Sequence, residues 1–136
     1  MKYNQLIPEL SVKDIEKSKH FYVEVLGFRI EYERKDEGFA FLSLGDCQIM
    51  LDEIDKSRTW QTGEFEHPLG RGINLQIQVK SIAPLITSLK KNGFKLFSDV
   101  EEKWYHVGKN KLGNKQFLVQ DPDGYLLRFF EDLGER

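Results

Sequence analysis

A chain made of two near-copies has to fold as two similar modules, and this one is written that way. Val12-Lys13-Asp14-Ile15 opens an amphipathic stretch that ends at Leu26-Gly27-Phe28, and Val79-Lys80-Ser81-Ile82 opens another that ends at Asn92-Gly93-Phe94. The offset is about 67 residues, and a fixed internal period marks a repeated supersecondary unit. Each copy reads strand, helix, glycine, strand and then further strand. One helix cannot cover both faces of such a sheet, so neither copy buries its sheet without a partner.

The local pattern gives two βαβββ modules. In the first, Gln5 to Val12 reads as a strand, Asp14 caps a helix whose buried stripe is Ile15, Ser18, Tyr22, Val25 and Leu26, and Gly27 supplies the left-handed residue after it. Strands follow at 28–34, 39–44 and 48–51, with turns at Asp36-Glu37-Gly38 and Gly45-Asp46. In the second, Ile73, Leu75, Ile77 and Val79 alternate with polar residues, and Ser81 is expected to cap a helix carrying Ile82, Leu85, Ile86 and Leu89, with Pro84 in its first turn. Residues 94–100, 116–120 and 125–130 read as strands, the last two joined by Asp121-Pro122-Asp123-Gly124. Ile54 to Gly70 and Glu101 to Asn114 fit no regular element and are expected to be irregular, where ligand contacts concentrate.

Composition excludes several classes. With 136 residues, 40% apolar and 12% aromatic, the chain can close a core within the usual size of one domain. Charge is mixed at net −2, with no basic stripe to track phosphates, so nucleic acid is not an expected partner. No apolar run approaches the roughly 20 residues that span a bilayer, and Met1-Lys2-Tyr3-Asn4-Gln5 lacks the apolar core of a signal peptide, so a cytoplasmic location without membrane contact is expected. Cys47 is alone, which rules out an internal disulfide or a cysteine metal cluster and fits a small core residue.

Ser11-Val12-Lys13-Asp14, His20-Phe21-Tyr22, Leu26-Gly27-Phe28 and the run Val119-Gln120-Asp121-Pro122-Asp123-Gly124-Tyr125-Leu126-Leu127-Arg128-Phe129 together resemble the vicinal oxygen chelate superfamily, within it the glyoxalase-like and bleomycin-resistance proteins. The resemblance covers nearly the whole chain. It implies an α+β fold, one domain over 1–136, in which modules 1–53 and 71–136, linked by 54–70, curl mixed sheets into an open cup and commonly assemble as a homodimer. Metal-dependent members are alike in placing His or Glu at one inward position on each of four strands. Aligned on the shared motifs, those positions fall on Ile7, Met50, Asn74 and Arg128. An alkyl chain, a soft thioether, a neutral carboxamide and a permanent cation are not a ligand set for a divalent ion, so neither metal nor other cofactor is expected.

Nothing else in the chain replaces that centre. His20, His67 and His106 show no i,i+4 or H-x-H pairing, no Gly-x-Ser-x-Gly occurs, and Cys47 has no cationic activator beside it. The resemblance therefore points to the bleomycin-resistance branch: a metal-free, non-catalytic binder that sequesters a planar aromatic antibiotic in a dimer-interface cleft. The rival is a metal-dependent glyoxalase-like lyase, isomerase or dioxygenase of the same superfamily. Candidate ligand contacts are Phe39 and Phe41 on the third strand, Trp60, Phe65, Trp104 and Tyr105 on the two irregular stretches, and Asp52 as a source of negative potential beside Glu53, Glu64 and Glu66. Phe39 matches a position at which bleomycin-binding members carry a stacking Phe. Those members also carry a Trp where this chain reads Lys111-Leu112-Gly113-Asn114, which moves the expected stacking partner to Trp104. Arg128 points inward if the alternation holds, and a salt bridge to Asp52 or Glu53 is expected, with ligand contact as the other use.

Overall fold

The computed structural model describes residues 1–57 and 60–136, in two compact units, Met1–Leu69 and Gly70–Arg136. Strand β1 (Glu9–Val12) of the first unit leads into helix α1 (Ile15–Lys19), which continues as a π-helical segment over His20–Val25. Asp14 caps α1 through its side chain, which accepts the N–H groups of Glu16 and Lys17, and Gly27 ends the helical stretch at φ +87°. Strands β2 (Arg29–Arg34), β3 (Phe39–Leu44) and β4 (Cys47–Glu53) complete the unit. The spatial order is β1-β4-β3-β2, with β1 parallel to β4 and the other pairs antiparallel.

Period-two alternation divides that sheet into two faces. One carries Leu10, Val12, Ala40, Leu42, Ile49 and Leu51, all buried together with Ile15, Phe21, Tyr22, Val25 and Leu26 of the helical stretch. The other carries Glu9 and Ser11, Met50 and Asp52, Phe39 and Phe41, and Tyr32 and Arg34, which the register sets side by side across β1, β4, β3 and β2.

The second unit repeats this plan: β5 (Asn74–Gln78), α2 (Ala83–Lys91), β6 (Ser98–Val107), β7 (Asn110–Gln120) and β8 (Leu126–Glu135), in the order β5-β8-β7-β6, with β5 parallel to β8. Leu85 and Leu89 of α2 are buried along with Ile77, Phe117, Val119, Leu127 and Phe129, and the rings of Phe117 and Phe129 stack with centroids 5.5 Å apart. Each unit therefore runs strand, helix and three strands, and the α+β reading holds.

Several local expectations change, and the first strand, expected from Gln5, begins only at Glu9. The stretch 101–114 is a long hairpin rather than an irregular segment: β6 and β7 pair from Ser98↔Leu118 to Val107↔Asn110 around a two-residue Gly-Lys turn with Gly108 at φ +62°. Most of its residues are exposed or half-buried, so no buried face imposes a hydrophobic alternation on it. The expected strand over 94–100 begins only at Ser98. Ser81 does not cap α2; the cap position is Ile82, which has no side-chain acceptor of its own, and its N–H is taken by the Glu131 carboxylate at 2.8 Å.

Candidate functional site

The face of the first sheet opposite its helix is lined with rings. Tyr32 stacks on Phe41 with centroids 5.2 Å apart and planes inclined by 10°, Tyr32 and Phe39 lie at 6.0 Å, and Tyr3 meets Phe41 edge-on at 5.5 Å. The strands explain this grouping, because Tyr32↔Phe41 and Arg34↔Phe39 are register partners and i,i+2 residues share a face. The guanidinium of Arg34 sits 4.0 Å from the Phe39 centroid and is also tied to Glu37.

Tyr3 arrives on a strap. Asn4 donates its backbone N–H to Gln48 Oε1 at 2.7 Å and its amide to the Asp46 carbonyl at 2.6 Å, while Gln48 donates to the Lys2 carbonyl at 2.7 Å. A hydrogen bond to Tyr32, with a smaller contribution from burial, raises the Tyr3 phenol above its ordinary value. Tyr3, Tyr32 and Arg34 were absent from the residues singled out above. Tyr32 carried a signal, since it alternates with Ile30 in a strand that precedes the Phe39/Phe41 strand; Tyr3 carried none.

The second sheet holds a concavity of about 460 Å³ on the face away from α2, bordered by Gln76, Tyr105, Asn114, Arg128, Phe130 and Asp132. Arg128 donates through Nη2 to Gln76 on β5, its register partner, and Gln116 donates to Glu101 Oε1 at 3.0 Å and to the Tyr105 hydroxyl at 2.8 Å. Within its own unit Arg128 is held by the neutral amide of Gln76, and in the first unit Glu53 accepts the N–H of Ile15 at 2.9 Å. The register seats Gln76 beside Arg128 within one sheet.

The structure brings Phe39, Phe41 and Asp52 to one face, with Phe39 and Asp52 as register partners, and Tyr105 and Arg128 to the concavity. Trp60 is 68% exposed and Phe65 37% exposed in the segment that follows β4. Trp104 packs against Gly113, where an added Cβ would lie 2.6 Å from its ring, and its ring is 3.9 Å from the Arg136 guanidinium. Among the described residues no three His, Cys, Asp or Glu side chains gather into a possible metal site. The donors at Ile7, Met50, Asn74 and Arg128 also do not fit a divalent cation, and Arg128 is held by Gln76.

Two βαβββ units, each with an open four-stranded mixed sheet, define an α+β protein. Residues 4–129 match the model of the Glyoxalase/Bleomycin resistance protein/Dioxygenase superfamily, and the chain belongs to that superfamily. It is similar to a bleomycin resistance protein of Geobacillus stearothermophilus, 28% identical over 95% of this chain and 97% of the relative. A lactoylglutathione lyase of Haemophilus influenzae is 27% identical, over 90% of this chain and 88% of the relative. The crystal structure of TioX from Micromonospora sp. ML1 shares the fold at 19% identity, with a TM-score of 0.74 over 96% of this chain and all (100%) of that one.

Proposed function

We propose that the protein binds a planar aromatic small molecule of the bleomycin type and captures it stoichiometrically without converting it. The observation that carries this reading is the near-parallel Tyr32–Phe41 pair, with Phe39 beside it, on the sheet face opposite the helix, where Tyr32 is half-buried and both Phe rings are buried. Flat heteroaromatic groups gain from offset stacking on such rings, of which the half-buried Tyr32 is the most accessible. The 28% identity to a bleomycin resistance protein, over nearly the full length of both chains, supports the same choice. Catalysis through a metal is the other reading, which the lyase relative suggests; the donor chemistry of the four strand positions speaks against it.

The reading includes a homodimer with the ligand in its cleft, in a reducing cytoplasm that suits the free thiol of Cys47. Leu6, Ile73 and Phe97, each more than half exposed, are apolar surface that a second copy would cover. Titration of the purified protein with bleomycin, followed by calorimetry and by tyrosine and tryptophan emission, tests the proposal. Saturable micromolar or tighter binding is expected, weakened about tenfold in Tyr32→Ala, the upper range for loss of one aromatic pair. Absence of heat and of any emission change would overturn bleomycin as the guest. Light scattering that gives a monomer at all concentrations would remove the dimer.

A further inference from the structure

We infer that the concavity of the second unit recognises a neutral carboxamide, a C(=O)–NH group carried on a flat apolar body. This rests on the reading of the protein as a small-molecule binder and adds the chemistry of the group recognised. Two atoms carry the argument. Gln116 Oε1, in a residue only 2% exposed, and Arg128 Nε are buried and have no hydrogen-bond partner among the described residues. Buried polar atoms in folded proteins are nearly always paired, and leaving one unpaired is costly, so two on one sheet face call for a partner from outside the chain.

Their orientation is fixed by their neighbours. The Gln116 amide nitrogen donates to Glu101 and to Tyr105, and because an ionised carboxylate only accepts, the amide cannot be turned around to present nitrogen elsewhere. Its oxygen is therefore the free end. Arg128 is anchored through Nη2 to Gln76, which leaves Nε–H as the free donor. Register pairs Gln116 with Phe130 and Leu118 with Arg128, so both side chains leave adjacent strands on the face that forms the hollow. A volume of about 460 Å³ is in the range of small-molecule sites.

A free donor and a free acceptor on one sheet face select their complement. A ketone satisfies only Arg128 Nε. A carboxylate does the same and sets its charge against the Gln116 oxygen. An amide offers a carbonyl to Arg128 and an N–H to Gln116. Arg128 and Asp132 both border the hollow and their charges offset, which favours an uncharged group over an anion. Arg128 and Tyr105 border the hollow, whereas Gln116 is buried and bonded to the Tyr105 hydroxyl, so a ligand must displace Tyr105 in order to reach Oε1.

The test titrates the isotope-labelled full chain with benzamide, benzoate and acetophenone, three probes of nearly equal size, and follows backbone amide shifts. Benzamide is expected to bind about tenfold or more tightly than either of the others, the discrimination one lost buried hydrogen bond produces, with the largest shifts in 112–116 and 128–132. Gln116→Met is expected to erase that preference while acetophenone binding persists; if the variant does not fold, the ranking on the natural chain decides. Benzoate or acetophenone binding as tightly as benzamide, or shifts confined to the first unit, overturns the inference. A chain that binds bleomycin yet ranks the probes equally loses this inference and keeps the broader reading, whereas one that binds neither bleomycin nor any probe loses both.

Discussion

Cys47 opens β4, and burial pushes its thiol from the ordinary 9.0 up to about 11. The thiolate is the nucleophile, so this residue is inert at neutral pH although it forms no disulfide. Folding favours the protonated form: the thiol's contribution to stability is fully present below about pH 9 and is lost as pH rises towards 11. Alkylation by iodoacetamide is therefore expected to keep accelerating with pH up to about 11; a plateau reached at pH 9 would show an ordinary, solvated thiol. Trp104 and Gly113 give the complementary lesson. The sequence places an aromatic at 104 and lacks one at 111–114, and β6–β7 pairing explains both at once, since Trp104↔Gly113 are register partners and any side chain at 113 would strike the indole. Neither residue reveals that alone.

The helix starts divide into what is readable locally and what is not. Asp14 stands directly before α1 and caps it as its position suggests, with Glu53 adding a second acceptor at the Ile15 N–H. For α2 the adjacent Ser81 is a false signal, and the acceptor comes from Glu131, 49 residues along the chain. The same device appears in both units: a carboxylate at or just after the end of the stretch paired parallel with the first strand reaches the helix N-terminus, so the repeat extends to the capping group. Because α2 has no side-chain cap of its own, Glu131→Ala is expected to cost about 1–2 kcal/mol, and Glu131→Gln, which keeps an acceptor but drops the charge, about 0.3–1 kcal/mol. Glu53→Ala should cost less than Glu131→Ala, since Asp14 remains. Urea denaturation of the three variants checks the order, and equal losses for Glu53→Ala and Glu131→Ala would contradict it.

At the scale of the molecule, the repeat made the fold legible: both units carry the same strand order because Val-Lys-Asp/Ser-Ile and Gly-Phe recur at the same places. The ring-lined face was half legible, since Phe39 and Phe41 alternate within one strand, while Tyr32, Tyr3 and the Gln116–Tyr105 bond depend on pairing between strands and on a strap that no periodicity announces. The chemistry of the four strand positions sets the last expectation. A ligand that binds only the folded state at a hundredfold its dissociation constant adds about 2.7 kcal/mol, a rise of several degrees in melting temperature for a chain of this size. Ile7, Met50, Asn74 and Arg128 offer no hard or borderline anionic donor, and Arg128 would repel a cation at close range. Nickel, zinc or manganese should therefore leave the melting temperature where a monovalent salt control leaves it, and a chelator should do the same. A saturable rise with any one of these ions, reversed by the chelator, would mean that donors other than these four converge on a cation, and would move the protein to the metal-dependent side of its superfamily.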